Sequence, residues 1–368
     1  MQKTDKTVRE PLVHITKRPD MPLFPALLIR LCAILLALII CALIIFWLTG
    51  LNPLAVYKAM FEGSFSSTRK IWNFLQNTAM LLCIALAVTP AFRMRFWNLG
   101  AEGQVLVGGL ASAAVMFYVR DSWPSWLLIL VMLISALAAG IVWAGVPALF
   151  KANFGTNETL FTLMMNYVAI QLVTFFIAVW VPTGSGVLGV LNQQSQNGWL
   201  PAVFNQRYGL NVLIVGILTV VMFIYLRYSK HGYEISVVGE SENTARYIGV
   251  NVKGVIIRTV VLSGAVAGLA GFLLMAGAAH TVTAELAGGN GFTAVLVSWL
   301  AKFNPLTMIL TSMLIVFLQK GSGEIAQAFR LSSNISEIMT GIILFFIIGC
   351  EFFIRYRINF RKKAEEEK

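Results

Sequence analysis

The chain has 368 residues, of which 58% are apolar and only 12% charged, and its mean hydropathy is +0.76. That composition excludes a soluble domain, a disordered chain and a coiled coil, because none of them could keep so much apolar surface in water. The net charge of +11 arises from 28 Lys and Arg against 17 Asp and Glu; with no aromatic-interleaved basic stripe it argues against nucleic acid and for the excess of cations that cytoplasmic loops of membrane proteins collect.

Residues 1–24 form a basic, proline-containing lead, with Lys3, Lys6, Arg9, Lys17 and Arg18. It is longer and more polar than a signal peptide needs, and is expected in the cytoplasm. Apolar segments follow at 25–48, 73–91, 99–119, 126–150, 158–181, 210–227, 255–278, 291–302, 305–320 and 336–354. At roughly 20 residues per crossing this predicts an all-α, polytopic transmembrane bundle of about ten helices over 25–354. Segment 73–91 is expected to be interrupted near Thr89-Pro90. Segment 291–302 is too short for an ordinary span, and Phe303 and Asn304 alone separate it from 305–320. Such a piece is expected to be buried among other helices.

Ten crossings from a cytoplasmic N-terminus place 21 of the 28 Lys and Arg inside and 7 outside. The basic tail, 355–368, then also lies in the cytoplasm, so the number of crossings is even. Eight crossings remain open if 291–320 is one broken hairpin. The outer loop 182–209 is polar and neutral, and 228–254 is the one long inner loop. Cys32, Cys41, Cys83 and Cys350 all fall in apolar runs, away from any metal-ligand spacing, and read as inert thiols.

No phosphate-binding loop, H-E-x-x-H or G-x-S-x-G is present, and His14, His231 and His280 are scattered. No catalytic or metal-binding residue is therefore assigned. A membrane-embedded enzyme would need a paired acid or histidine cluster, and a proton pump would need acids within its spans. Three stretches carry information. Gly239 to Gly249 has Glu240 and Glu242 leading, Glu242 and Arg246 four apart, Tyr247 next, and Gly249 where a left-handed cap belongs. It predicts a short helix of two to three turns in the inner loop, either docking a partner or simply solvated. Asn98-Leu99-Gly100-Ala101-Glu102-Gly103-Gln104 places Glu102 near a helix start. It is either a broken-helix element near a translocation path or a turn with a capping acid. Ser263 to Gly271 holds Gly264 and Gly268 as G-x-x-x-G, with Gly271 in a second small-residue row, a helix-packing pattern. Asn166 and Gln171 in the fifth segment, after Asn157-Glu158-Thr159, are either path-lining amides or interhelical glue.

Together these stretches resemble the permease subunits of type II ABC importers of the simple-sugar, nucleoside and branched-chain amino acid group, over about residues 70–350. The Asn98–Gln104 run is similar to that family's signature after its second helix, and Gly239–Gly249 to its cytoplasmic coupling segment. The polar lead and Asn157-Glu158-Thr159 with Met165-Asn166-Tyr167 are closest to nucleoside permeases that work with a basic membrane lipoprotein. The resemblance implies a transport subunit of the plasma membrane that is not itself an enzyme, with ATP and Mg²⁺ held by a separate cytoplasmic ATPase. It implies a second permease subunit in a heterodimer, and an extracytoplasmic substrate-binding lipoprotein. Glu240, Glu242, Arg246, Tyr247 and Gly249 would contact the ATPase; Asn98, Glu102, Gln104 and Asn166 would lie on the path. The expected solute is a neutral nucleoside, which amide side chains can match, or alternatively a simple sugar such as ribose. The rival from another class is an ATPase-independent secondary transporter, which would need a coupling-ion site.

Overall fold

A computed structural model describes residues 13–18, 22–181, 187–203, 205–330 and 332–360. Most of the expected lead, the start of the outer loop at 182–186 and the end of the tail at 361–368 lie outside the described residues. The chain divides into two compact units, residues 1–63 with 318–368 and residues 64–317.

In the first unit, α1 (Leu23–Thr49) ends on Gly50 in the left-handed conformation, φ 67°. It packs along α13 (Ser333–Arg355), where the Arg30 guanidinium pairs with Glu351. Between them in sequence lies α2 (Pro53–Phe65), started by Asn52, whose side chain accepts from Leu54 N at 3.0 Å. This helix was not among the expected segments, because Lys58 and Glu62 break its apolar run; in the structure they pair at 3.6 Å. Tyr57, also on α2, donates its hydroxyl to the Leu38 carbonyl of α1. Strand β1 (Val13–Lys17) pairs antiparallel with β2 (Tyr356–Phe360), Val13 opposite Phe360 and Lys17 opposite Tyr356. The strands join the end of the lead to the start of the tail.

The second unit holds the remaining helices: α3 (Thr68–Arg93), α4 (Ala101–Val119), α5 (Ser125–Phe154), α6 (Glu158–Trp180), α7 (Gly209–Tyr228), α8 (Lys230–Glu240), α9 (Glu242–Tyr247), α10 (Val252–Leu274) and α11 (Asn290–Leu300). The expected break at Thr89-Pro90 does not occur: α3 runs through Pro90 to Arg93. A proline this near a C-terminus removes only one internal hydrogen bond. Thr89 Oγ1 meanwhile donates to Ala85 O at 2.7 Å and meets Ser298 Oγ at 2.9 Å.

Helix α10 is the centre of this unit, packed against α3, α4 and α5. Its small residues let those backbones approach. A β-carbon on Gly264 would collide with Gly140 and Ala144 of α5, and one on Gly268 with Ala136 and Gly140. On the other side, Gly268 faces Gly108, and Gly271 faces Val105 and Gly109 of α4. Close contacts of this kind replace the hydrophobic effect, which does not drive helices together in lipid.

After α10 the helix loosens into a π-helical turn, Met275–Ala279, closed by His280 at φ 54°. The chain then travels back along α4. Leu286 lies against the bare backbone of Gly109, Gly289 and Gly291 reach Glu102, and Trp299 meets Trp97 with ring centroids 5.3 Å apart. Only the second half of this passage, α11, is helical. Among the described residues nine helices are long and apolar enough to cross a membrane, and α11 is a shorter apolar helix beside them. Within 291–320 the chain breaks at 301–304, between α11 and the helix that follows. A longer non-helical stretch precedes α11, and α12 (Pro305–Ala328) is one continuous helix. Its last turns beyond 320, with Ser322 and Glu324, were too polar to be read as part of an apolar segment.

Candidate functional site

Three features gather the candidate side chains of the second unit. The first is the module that follows α7. Ser229 caps α8, its Oγ accepting from Gly232 N at 2.9 Å. Gly232 and Gly239 bring α8 onto the ends of its neighbours: a β-carbon at Gly232 would meet the Leu226 carbonyl at 2.6 Å, and one at Gly239 would strike Arg93 O. His231 bridges Tyr225 and Thr259, its Nε2 lying 3.2 Å from the threonine hydroxyl. Burial lowers the His231 pKa, helped by the Arg258 charge.

The expected single helix over 239–249 is in fact two. Gly239 and Glu240 close α8, and Ser241 breaks the chain direction in an extended conformation. Ser241 Oγ then accepts from Thr244 N at 3.2 Å and starts α9. A serine with a free amide three residues on is a capping signal that was readable in the sequence. Helix α9 ends in a Schellman arrangement: Gly249 at φ 84°, its N–H on Arg246 O at 3.0 Å, and Val250 N on Ala245 O at 2.9 Å. Ala245 is fully buried and anchors the module, and Glu242 and Arg246 pair at 3.4 Å. Tyr247, 95% exposed, projects beside the half-exposed Ile248.

The second feature is a buried polar knot, where Asn98, Glu102, Gln104 and Asn166 are brought together. Asn98 Oδ1 accepts from Gly100 N at 3.0 Å and from Gln104 Nε2 at 3.2 Å, and its amide donates to Ser263 Oγ of α10 at 3.2 Å. Asn166 Oδ1 accepts from Gly103 N at 2.8 Å, while its Nδ2 donates to Leu99 O at 2.8 Å. A β-carbon at Gly103 would sit 2.9 Å from Asn166 Oδ1, so glycine is required for that approach. Glu102 does more than cap its own helix. Its two oxygens accept from Gly289 N at 2.8 Å and Gly291 N at 2.7 Å, at the start of α11. A carboxylate thus sits on the positive end of a half-helix inside the unit. Nothing local in the sequence around Glu102 named those partners; the Gly288-Gly289-Asn290-Gly291 cluster was the available signal.

The third feature lies at the other end of α4 and was not foreseen. The Trp199 and His280 rings stack with centroids 3.7 Å apart, and Arg207 stands 5.5 Å above Trp199. Leu191 N and Leu200 N donate to His280 O and Ala276 O, both at 2.9 Å, pinning the polar loop over the π-helical turn. His280 is buried, and its pKa is lowered to about 4, first by burial and then by Arg207. Among the described residues no group of three or more His, Cys, Asp or Glu is placed to hold a metal.

Residues 70–348 match the family described as the branched-chain amino acid transport system / permease component. The chain belongs to that family. The permease is 28% identical to the guanosine ABC transporter permease protein NupP of Bacillus subtilis, over 92% of this chain and 97% of that one. It is 27% identical to the glucose ABC transporter permease protein TsgB13 of Haloferax volcanii, over 84% of each chain. It is likewise 27% identical to the nucleoside ABC transporter permease protein NupB of Lactococcus lactis, over 81% of this chain and 84% of the relative. The permease is a multi-pass helical membrane protein and a transport subunit.

Proposed function

We propose that this permease carries a nucleoside into the cytoplasm as one subunit of an ABC importer, with ATP hydrolysed on a separate chain. The observation that carries this is α9: a short helix capped at both ends, held by buried Ala245, and offering Arg246, Tyr247 and Ile248 outward. A helix fixed so firmly yet so exposed is suited to transmit a push from a cytoplasmic ATPase through α8 to Arg93 and the end of α3. Glu240, Glu242 and Gly249 shape that contact, and both chain termini lie on the same cytoplasmic side. The nucleoside assignment is supported by the names of NupP and NupB. A neutral solute also suits a polar knot built mostly of amides. TsgB13 favours a sugar as the second reading.

The partners are a second permease, completing the path as a heterodimer, the cytoplasmic ATPase with its ATP and Mg²⁺, and a lipoprotein that delivers the solute. The assembly sits in the plasma membrane. Asn98, Glu102, Gln104 and Asn166 act on the path by fixing α11 and the 98–104 turn. The test is ATPase activity of the purified complex with the lipoprotein. Lipoprotein loaded with a nucleoside should stimulate hydrolysis; stimulation by a pentose or an amino acid alone would refute the nucleoside assignment.

A further inference from the structure

The ends of α3 and α7 and the start of α12 enclose a cleft of about 360 Å³. Three cations line it, Arg93, Arg227 and Lys302, and no carboxylate does. Arg93 is aimed by a 3.1 Å hydrogen bond from Nη1 to Leu226 O. Lys302 and Phe303 both hold left-handed backbone conformations, φ 51° and 59°. Two consecutive non-glycine residues in that region are strained. They are fixed there by Lys302 N on Trp299 O at 3.0 Å and Phe303 N on Ser298 O at 2.9 Å. Next to them Asn304 caps α12, its side chain accepting from Leu306 N at 3.1 Å. The positive end of a long helix therefore adds to the three side-chain charges. Concentrating this much positive charge in one concave place is costly without an anion.

The flanks of the cleft are apolar. On α7 the exposed residues Ile217, Val220, Val221 and Ile224 form one helical stripe, and on α12 Leu306 and Leu310 are exposed one turn apart. Both helices are candidate spans. A ligand that meets the cations and the flanks together needs a negative head and hydrocarbon tails.

We infer that this cleft binds the phosphate headgroup of an anionic phospholipid, with its acyl chains lying along α7 and α12. Arg227 and Lys302 are exposed beside the cleft, Arg227 with its guanidinium over the Phe223 and Tyr228 rings at 5.7 and 5.8 Å, while half-buried Arg93 forms the floor. The site is independent of which solute the permease carries. Its occupation would tie the end of α3, on which α8 rests, to the membrane surface.

The test is native mass spectrometry of the purified full-length permease with dioleoyl phosphatidylglycerol against dioleoyl phosphatidylcholine. Phosphatidylglycerol should bind preferentially and saturably. The double variant Arg227→Gln, Lys302→Gln should bind it about 30-fold more weakly, at about 5-fold per surface cation removed. Binding of phosphatidylcholine should stay as it was. Arg227→Lys with Lys302→Arg should restore most of the preference. Lys302→Gln alone, altering one exposed side chain, should give the about 5-fold step if the double variant fails to reach the membrane. Equal binding of the two lipids, or an unchanged preference in the variants, overturns the inference. So does full competition by free glycerol phosphate, which would make the ligand a soluble anion. Loss of ATPase assembly in the double variant with lipid preference intact would reassign the cleft to a protein contact and likewise overturn it.

Discussion

Glu102→Gln keeps the size of the side chain and removes its charge. Only one amide oxygen remains for the two N–H groups of Gly289 and Gly291, and the new NH₂ faces a donor. A buried N–H without an acceptor costs about 1–3 kcal/mol. Removing the charge from the end of α11 costs up to about 2 kcal/mol in so enclosed a place. A combined loss of about 3 kcal/mol lowers the melting temperature of a chain this long by about 4 °C. Glu102→Asp, charged but one methylene short, should fall between. Gly291→Ala should match the glutamine variant, since its β-carbon would lie 2.5 Å from Glu102 N and 2.7 Å from Oε2. The assay is thermal unfolding of purified permease in detergent, with solute uptake measured in parallel. Uptake should fall with the loss of α11's anchor. A Glu102→Gln protein melting within about 1 °C of the parent, with normal uptake, would refute the claim that this carboxylate holds the half-helix.

Gly268→Ala should sharply reduce the yield of folded protein, since its methyl would collide with the Ala136 carbonyl. Gly216→Ala, with open space around it, should be neutral; size-exclusion profiles after extraction compare them. His280 adds an acid-sensitive step to stability. Its folded pKa of about 4 lies below the ordinary 6.5, so the unfolded chain takes up the proton first. The stability is full above pH 6.5, falls between 6.5 and about 4, and is flat below. His280→Asn, which tolerates the left-handed backbone, should remove that pH dependence from melting curves across the range. Arg246→Glu should leave the melting temperature and membrane insertion unchanged, because the residue is exposed and its ion pair is a surface one worth under about 1 kcal/mol. It should abolish ATP-driven uptake; unchanged uptake would remove α9 from the coupling route.

The long helices were legible because lipid imposes a crude rule that composition obeys. Their ends were not, where the decisive interaction was either a cap or tertiary. Pro90 looked like a break, yet near a helix end it costs a single bond. Ser241 split the inner-loop helix through a cap visible in the residues, but the acidic pair around it drew the reading into one helix. Helix α2 and the last turns of α12 were hidden by charges that short-range ion pairs and packing accommodate. The candidate site divided in the same way. Gly249 could be placed from the chain alone, because a left-handed cap is local. The partners of Glu102, 187 and 189 residues away, could not. Nor could the Trp199–His280 stack, whose rings are 81 positions apart.

The central claim is that this chain moves a nucleoside inward under the control of ATP hydrolysed elsewhere. Its most direct test is uptake into proteoliposomes holding the permease pair and the ATPase, with lipoprotein and labelled nucleoside outside and ATP inside. Accumulation should require ATP, should be competed by unlabelled nucleoside and not by ribose or glucose, and should vanish with Arg246→Glu. Accumulation by permease alone, driven by an ion gradient, would contradict the account.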